Sequence, residues 1–192
     1  NNVVMAQDLY QHTTPIEPLV VQYGHDQQAI NYFYGPMPKG WGSQSAMESP
    51  EQVERLIALD KEYLQKLKDF PYDKLNTNSQ VDFILLNRKV MFDMEALQEQ
   101  LKTYERLKDY IPFDQIIYDF ERLRRRGTTV NGEEIAENLQ KAIQQIKEAT
   151  EKLNRVNSIS YFDVNFLKEV IGSLKLRLTS AFDFYNEYEP MF

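Results

Sequence analysis

Cysteine is absent from the 192 residues of this chain. Disulfides and thiolate metal sites are thereby excluded, and the redox compartment is left open. Histidine is nearly absent: His12 and His25 stand thirteen positions apart. No His-Glu-x-x-His pattern sets two imidazoles on one helix face, so a metal centre lacks ligands. A nucleophile–base pair is equally unsupported, since there is neither a thiol nor a Gly-x-Ser-x-Gly turn. No apolar run approaches the roughly 20 residues of a membrane span. Positive charge is short as well: 22 basic against 29 acidic residues give a net charge of −7. That balance argues against nucleic acid or an anionic membrane as the main partner. No segment of useful length alternates apolar and polar residues as a strand would.

What is present is helical periodicity and aromatic bulk. Twelve tyrosines and eleven phenylalanines suit the wide gaps between long helices. The organising stretch is Ser79 to Ile111, where Phe83, Leu86, Val90, Met94, Leu97, Leu101, Tyr104, Leu107 and Ile111 recur at steps of three or four. That spacing lays them along one helix face. A second apolar row, Val81, Ile84, Leu85 and Phe92, predicts that the first half of this rod is covered on two sides. A rod of this length needs packed neighbours, and the flanking segments supply candidates. One helix is predicted from Pro15 through Tyr34, with Gly24 weakening it. A second opens at Ser49-Pro50-Glu51-Gln52, with Ser49 capping and Gln52 reaching back, and closes before Pro71. Thr77 and Gln80 offer a capping box for the rod. Then come a short helix with Ile116, Ile117, Phe120 and Leu123 inward, and a helix starting near Asn131 with Ile135, Leu139, Ile143, Ile146, Leu153 and Val156 inward. The last helix runs from about Phe162 to Tyr188, with Phe166, Val170, Leu174, Leu178, Phe182 and Tyr185 in register. The expectation is an all-α bundle of five or six helices, several long and antiparallel, with an irregular Pro/Gly/aromatic loop near residues 35–48. Residues 1–14 read as an extended arm and 15–192 as a single helical domain. The chain opens on Asn1 and stops on Glu189-Pro190-Met191-Phe192, an apolar ending where termini are usually polar. A longer protein, of which this is the N-terminal part, is expected.

Candidate chemistry is sparse. Arg122, Arg124, Arg125 and Arg126 form the only dense basic cluster and could grip a phosphate or a carboxylate. The same residues also suit a helix C-terminus, where positive charge complements the macrodipole and Gly127 serves as a left-handed cap. The carboxylate pairs Glu95/Glu99 and Glu133/Glu134 lie on polar helix faces and read as solvated surface. Tyr104, Tyr110 and Tyr118 either line a cleft for sugar or peptide or pack between helices. Trp41, the single tryptophan, sits in the irregular loop, either tucked against helices or exposed for a partner.

Five stretches together resemble a known family. They are Asp26-x-x-x-Ile30-Asn31-x-Phe33-Tyr34, Ser49-Pro50-Glu51, Leu75-x-x-x-Ser79-x-x-x-Phe83-x-x-Leu86-x-x-x-Val90, Ile111-Pro112-Phe113, and Asp183-Phe184-Tyr185-Asn186-x-Tyr188-x-Pro190-x-Phe192. In order and spacing they resemble the N-terminal helical portion of the bacterial family known as domain of unknown function eight-eight-five, in the branch common in gut Bacteroidetes. The resemblance implies an exported, zincin-like peptidase parent, located in the periplasm or at the cell surface, with its zinc motif in a C-terminal part. The residues themselves fit a cytosolic location equally. Nothing here corresponds to the metal motif, so no catalytic, cofactor-binding or metal-ligating residue is carried over. The expected role is a non-catalytic domain that shapes the substrate cleft. Its expected partners are the C-terminal part of the same protein and a peptide substrate. Trp41 and the arginines Arg122, Arg124, Arg125 and Arg126 are the candidate contacts with substrate or neighbouring domain. The rival expectation is a free-standing helical binding or scaffold module.

Overall fold

The computed structural model describes residues 14–36, 46–156 and 158–188. Of the arm expected over residues 1–14, residues 1–13 lie outside the described residues, and so do residues 37–45 of the expected loop, with Trp41. Among those described, six α-helices and two 3₁₀ turns form the regular structure and no strand occurs. The fold class is all-α, as the periodicity predicts. The helices are α1 (Glu17–Tyr34), α2 (Pro50–Lys68), α3 (Thr77–Leu107), α4 (Asp114–Arg125), α5 (Gly132–Asn154) and α6 (Tyr161–Tyr188). No helix among the described residues is long and apolar enough to cross a membrane.

The helix ends show local chemistry at work. Ser49 caps α2 by accepting the Gln52 N–H. The Gln52 side chain does not reach back, because it donates to Asn31 at 2.9 Å instead. The cap of α3 is Asn76, one residue before the predicted Thr77; its Oδ1 accepts from the Ser79 N–H at 2.9 Å. Asn131 caps α5 as predicted, accepting from Glu133. At the end of α4, Gly127 turns left-handed at φ 61°. Its N–H bonds the Arg124 carbonyl and the Thr128 N–H bonds that of Leu123, a Schellman ending. The helix α1 runs unbroken through Gly24.

The chain divides into two compact units. Unit 1 comprises Asn1–Ile30 and Glu54–Gln98, and unit 2 comprises Asn31–Val53 and Glu99–Phe192. Unit 1 buries Tyr23, Leu56, Leu59, Tyr63, Leu67, Leu86 and Val90, with the rings of Tyr23 and Tyr63 5.0 Å apart. The inward stripe of α3 is therefore the one the spacing predicts. The predicted second covered row is not covered: Val81, Ile84, Leu85 and Phe92 are exposed, Phe92 to 71%.

In unit 2, α4 packs on α5 and α6. One core holds Leu107, Ile111, Phe113, Ile117, Leu167, Val170 and Leu174. Another gathers Phe120, Ile135, Ala181 and Tyr185, with Phe120 and Tyr185 stacked at 5.4 Å. The inward face of α5 differs from expectation. Ile143 is 51% exposed and Ile146 is exposed too, whereas Ala142 and Ala149 are buried. Ile135 is buried and Leu139 packs beside that core as expected, so the departure lies in the middle of the helix, where small side chains allow close approach to its neighbours. Phe182 of α6, predicted inward, is also exposed.

Candidate functional site

The arginine cluster at the end of α4 turns inward. Arg124 pairs with Glu121 at 3.0 Å and donates to the Gly35 carbonyl at 3.2 Å. Arg125 pairs with Glu51 at 3.1 Å and lies 4.6 Å from the centre of the Tyr34 ring. Arg122 is half-buried and bridges Asp119 at 2.6 Å and Glu51 at 3.4 Å. Only Arg126 of the four is exposed. The structure thus brings Arg122, Arg124 and Arg125 together on Glu51 and Glu121, and leaves Arg126 apart.

A fifth arginine, absent from the predicted set, completes the cluster. Arg177 of α6 is 0% exposed and Glu121 is 1% exposed. The Arg177 guanidinium donates to Glu121 at 3.4 Å, to the carbonyls of Tyr34 at 2.5 Å and Met47 at 3.1 Å, and to Gln52 at 3.3 Å. Burial pulls its pKa below the ordinary value, and the Glu121 carboxylate pulls it back. Arg125 Nη1 also lies 3.6 Å from Glu121, an ion-pair distance but too long for a hydrogen bond. Three guanidinium groups thus surround one buried carboxylate. The surplus charge is met by the backbone carbonyls of residues 34, 35 and 47 and by the faces of Tyr34 and Tyr118. Glycine suits position 35 because an added Cβ would stand 2.8 Å from the Asn31 carbonyl oxygen. The arginines therefore hold the two chain segments that flank residues 37–45.

Beside this cluster, unit 2 opens a cleft of about 600 Å³. Tyr104, Asp114 and Tyr118 line it, with Glu105, Lys108 and Arg122 among the charged residues of its wall. Asp114 is 6% exposed. Its carboxylate accepts from the Tyr104 hydroxyl and from the Gln115 N–H. Burial pushes its pKa above the ordinary carboxylate value, and those two hydrogen bonds, with one from its own backbone N–H, partly offset the rise. Burial and the neighbouring carboxylate push Tyr104 up as well, and burial does the same to Tyr118. Of the predicted tyrosine row, then, Tyr104 and Tyr118 line a cleft, while Tyr110 packs at the edge of the core under Lys152.

No family model, curated protein or solved structure matches this chain.

Among the described residues no group of three or more His, Asp or Glu stands together as a metal cage. A second polar cluster does lie in unit 1, at Asp60, which is wholly buried. The Tyr23 hydroxyl stands 2.7 Å from Asp60 Oδ1 and 3.0 Å from Asp93 Oδ2, and it accepts from Gln27 at 2.8 Å. One hydroxyl has one proton, so the two carboxyl contacts need a second. Burial raises the Asp60 pKa, whereas hydrogen bonds from Lys89, Gln27 and Tyr23 bring Asp93 below the ordinary value against its own burial. Of the two carboxyl groups, Asp60 is thus the one whose neutral form burial favours, and the Tyr23 hydroxyl lies between them. Asp60 Oδ2 has no hydrogen-bond partner, a lesser penalty for a neutral carboxyl than for half an anion.

Sequence reasoning missed Arg177, Glu121, Asp114 and Asp60. The signal for three of them was available: each is a charged residue within an otherwise apolar helix stripe. Arg177 follows Leu174 by three, Glu121 follows Ile117 by four, and Asp60 follows Leu56 by four. Asp114 has no such signature, because it opens a helix where Asp is ordinary.

Proposed function

We propose that this chain is the non-catalytic helical domain of a larger, exported, zincin-like peptidase, and that it shapes or supports that protein's substrate cleft. The observation that supports this is the use to which the resemblance residues are put. Asp26 accepts from Tyr63 at 2.7 Å, Asn31 from Gln52, Ser49 caps α2, and Tyr185 donates to the Thr128 carbonyl at 2.9 Å. These residues serve hydrogen bonds and cores within each unit and do not converge on one reacting centre. A supporting domain has that pattern. In this reading the zinc and its ligands belong to the C-terminal part of the parent protein, which is also this chain's main partner, and peptide is the substrate. Trp41 lies outside the described residues, and Arg124 and Arg125 serve the fold, so Arg122 and Arg126 remain the contact candidates of the cluster.

The test is to isolate the protein from its source, measure its mass and bound zinc, and assay peptide hydrolysis beside the isolated 192-residue chain. A mass several times that of this chain, with zinc and hydrolysis in the larger protein alone, is expected. A native mass equal to this chain's would overturn the reading in favour of a free-standing binding or scaffold module. The exposed row Val81, Ile84, Leu85 and Phe92 is the feature that favours that second reading.

A further inference from the structure

The charged groups of the unit 2 cleft are paired, with one exception. Lys108 is held by Glu105 at 2.7 Å, Arg122 by Asp119 at 2.6 Å, and Arg125 by Glu51 at 3.1 Å. Lys152 lies 3.8 Å from Asp109. Asp114 has no ion-pair partner among the described residues, although it is the most buried carboxylate of the lining after Glu121. Its oxygens accept from the Tyr104 hydroxyl, the Gln115 N–H and its own backbone N–H, short of the roughly four sites that a carboxylate offers. Next to it, Tyr118 is 7% exposed. Its hydroxyl makes no hydrogen bond among the described residues and is not one of the sealed, unpaired polar atoms, so it is open to a partner from the cleft. The cleft floor thus offers acceptors and two aromatic rings, and its wall offers no cation without a partner.

We propose that this cleft binds a ligand through an ammonium group, which pairs with Asp114 against the rings of Tyr104 and Tyr118. An ammonium supplies three donors and a compact charge. It can donate to the remaining Asp114 lone pairs and to the Tyr118 oxygen together. An anion fits badly, since each cation it could meet is already engaged by a carboxylate of the wall or its neighbour. The position of Asp114 in the first turn of α4 favours its charged form, and burial opposes it. A cation brought by a ligand tips that balance toward the carboxylate. A volume of about 600 Å³ accommodates more than the ammonium itself, within the range of small-ligand sites. The fitting class is therefore an amine carried on a short peptide or a molecule of that size. This goes beyond the peptidase-domain reading and does not rest on it.

The experiment is titration of the 192-residue chain with trialanine, N-acetyl-trialanine, Nα-acetyl-lysine amide and n-butylamine, followed by calorimetry and by the Gln115 amide resonance. Trialanine is expected to bind and shift Gln115, with at least a tenfold loss on acetylation. Asp114→Asn keeps the shape of the side chain and is expected to weaken binding at least tenfold, and Tyr118→Phe less so. Thermal melts of both variants separate lost binding from lost folding. Binding by Nα-acetyl-lysine amide in place of trialanine would uphold the site and assign the ammonium to a side chain. Butylamine binding alone would uphold it for small amines. Equal binding of acetylated and free peptide, full binding by a folded Asp114→Asn variant, or no binding by any amine would overturn the proposal.

Discussion

Glu121 shows how much one residue can decide. Among the described residues, its carboxylate is the sole buried anion facing Arg124, Arg125 and Arg177. Removing one partner of a buried ion pair typically costs about 3–5 kcal/mol, because the other charge is left uncompensated. Glu121→Ala is expected to lose that much in urea melts, and a loss below about 1 kcal/mol would mean that water reaches the cluster. Asp60 makes the opposite kind of prediction. Its folded pKa is raised, so its contribution to stability is fully present below the unfolded pKa of about 4. It is then lost as pH rises through the folded value. Asp60→Asn does not titrate, and it still offers an acceptor to Tyr23. Its urea midpoint is expected to gain on the parent's as pH rises from about 4 to 7. A constant offset across that range would show that Asp60 ionises like a solvated carboxylate. Neither behaviour is visible in composition, because a charged residue in an apolar stripe reads the same whether it is paired or a misjudged face.

At the scale of elements, the helices were legible and their fine positions less so. The 3.6-residue period, Pro50, Pro71, Pro112 and Gly127 are local signals, and they located the elements to within a few residues. Caps depend on which of two adjacent polar residues leaves helical geometry. Asn76, not Thr77, does so at the start of α3. Asn76→Ala is expected to cost about 1 kcal/mol, while Thr77→Ala stays within about 0.5 kcal/mol, both measured by denaturant melts. The middle of the α5 face, at Ile143 and Ile146, departed from prediction for a different reason. Hydrophobicity alone selects Ile143 over Ala142, yet close packing against a neighbour selects the smaller side chain. Ala142→Leu should therefore overpack and cost about 1–3 kcal/mol, and Ile143→Lys should change stability by less than about 0.5 kcal/mol. Reversed costs would restore the face that periodicity predicts. The candidate site divides similarly. The arginine run and the row of Tyr104 and Tyr118 were visible as residues, but their roles were not.

For the molecule as a whole, the division between the two units falls within α1, α2 and α3 and not in a linker. Independent domains are usually joined by exposed, flexible segments. One cooperative transition is expected in urea, with NMR probes at Tyr23 in unit 1 and Tyr185 in unit 2 giving coincident curves. Separate midpoints would show two independently folding units. The all-helical class, the order of helices and the negative surface follow from period, breakers and charge count, which act within a few residues or sum over the whole chain. Tertiary structure alone settled which charges are buried, which apolar row stays exposed, and where a cleft opens. Those outcomes depend on pairs such as Arg177 with Met47, or Tyr104 with Asp114. A pairing between residues far apart in the chain, or on different helices, leaves no periodic trace in either partner's own segment.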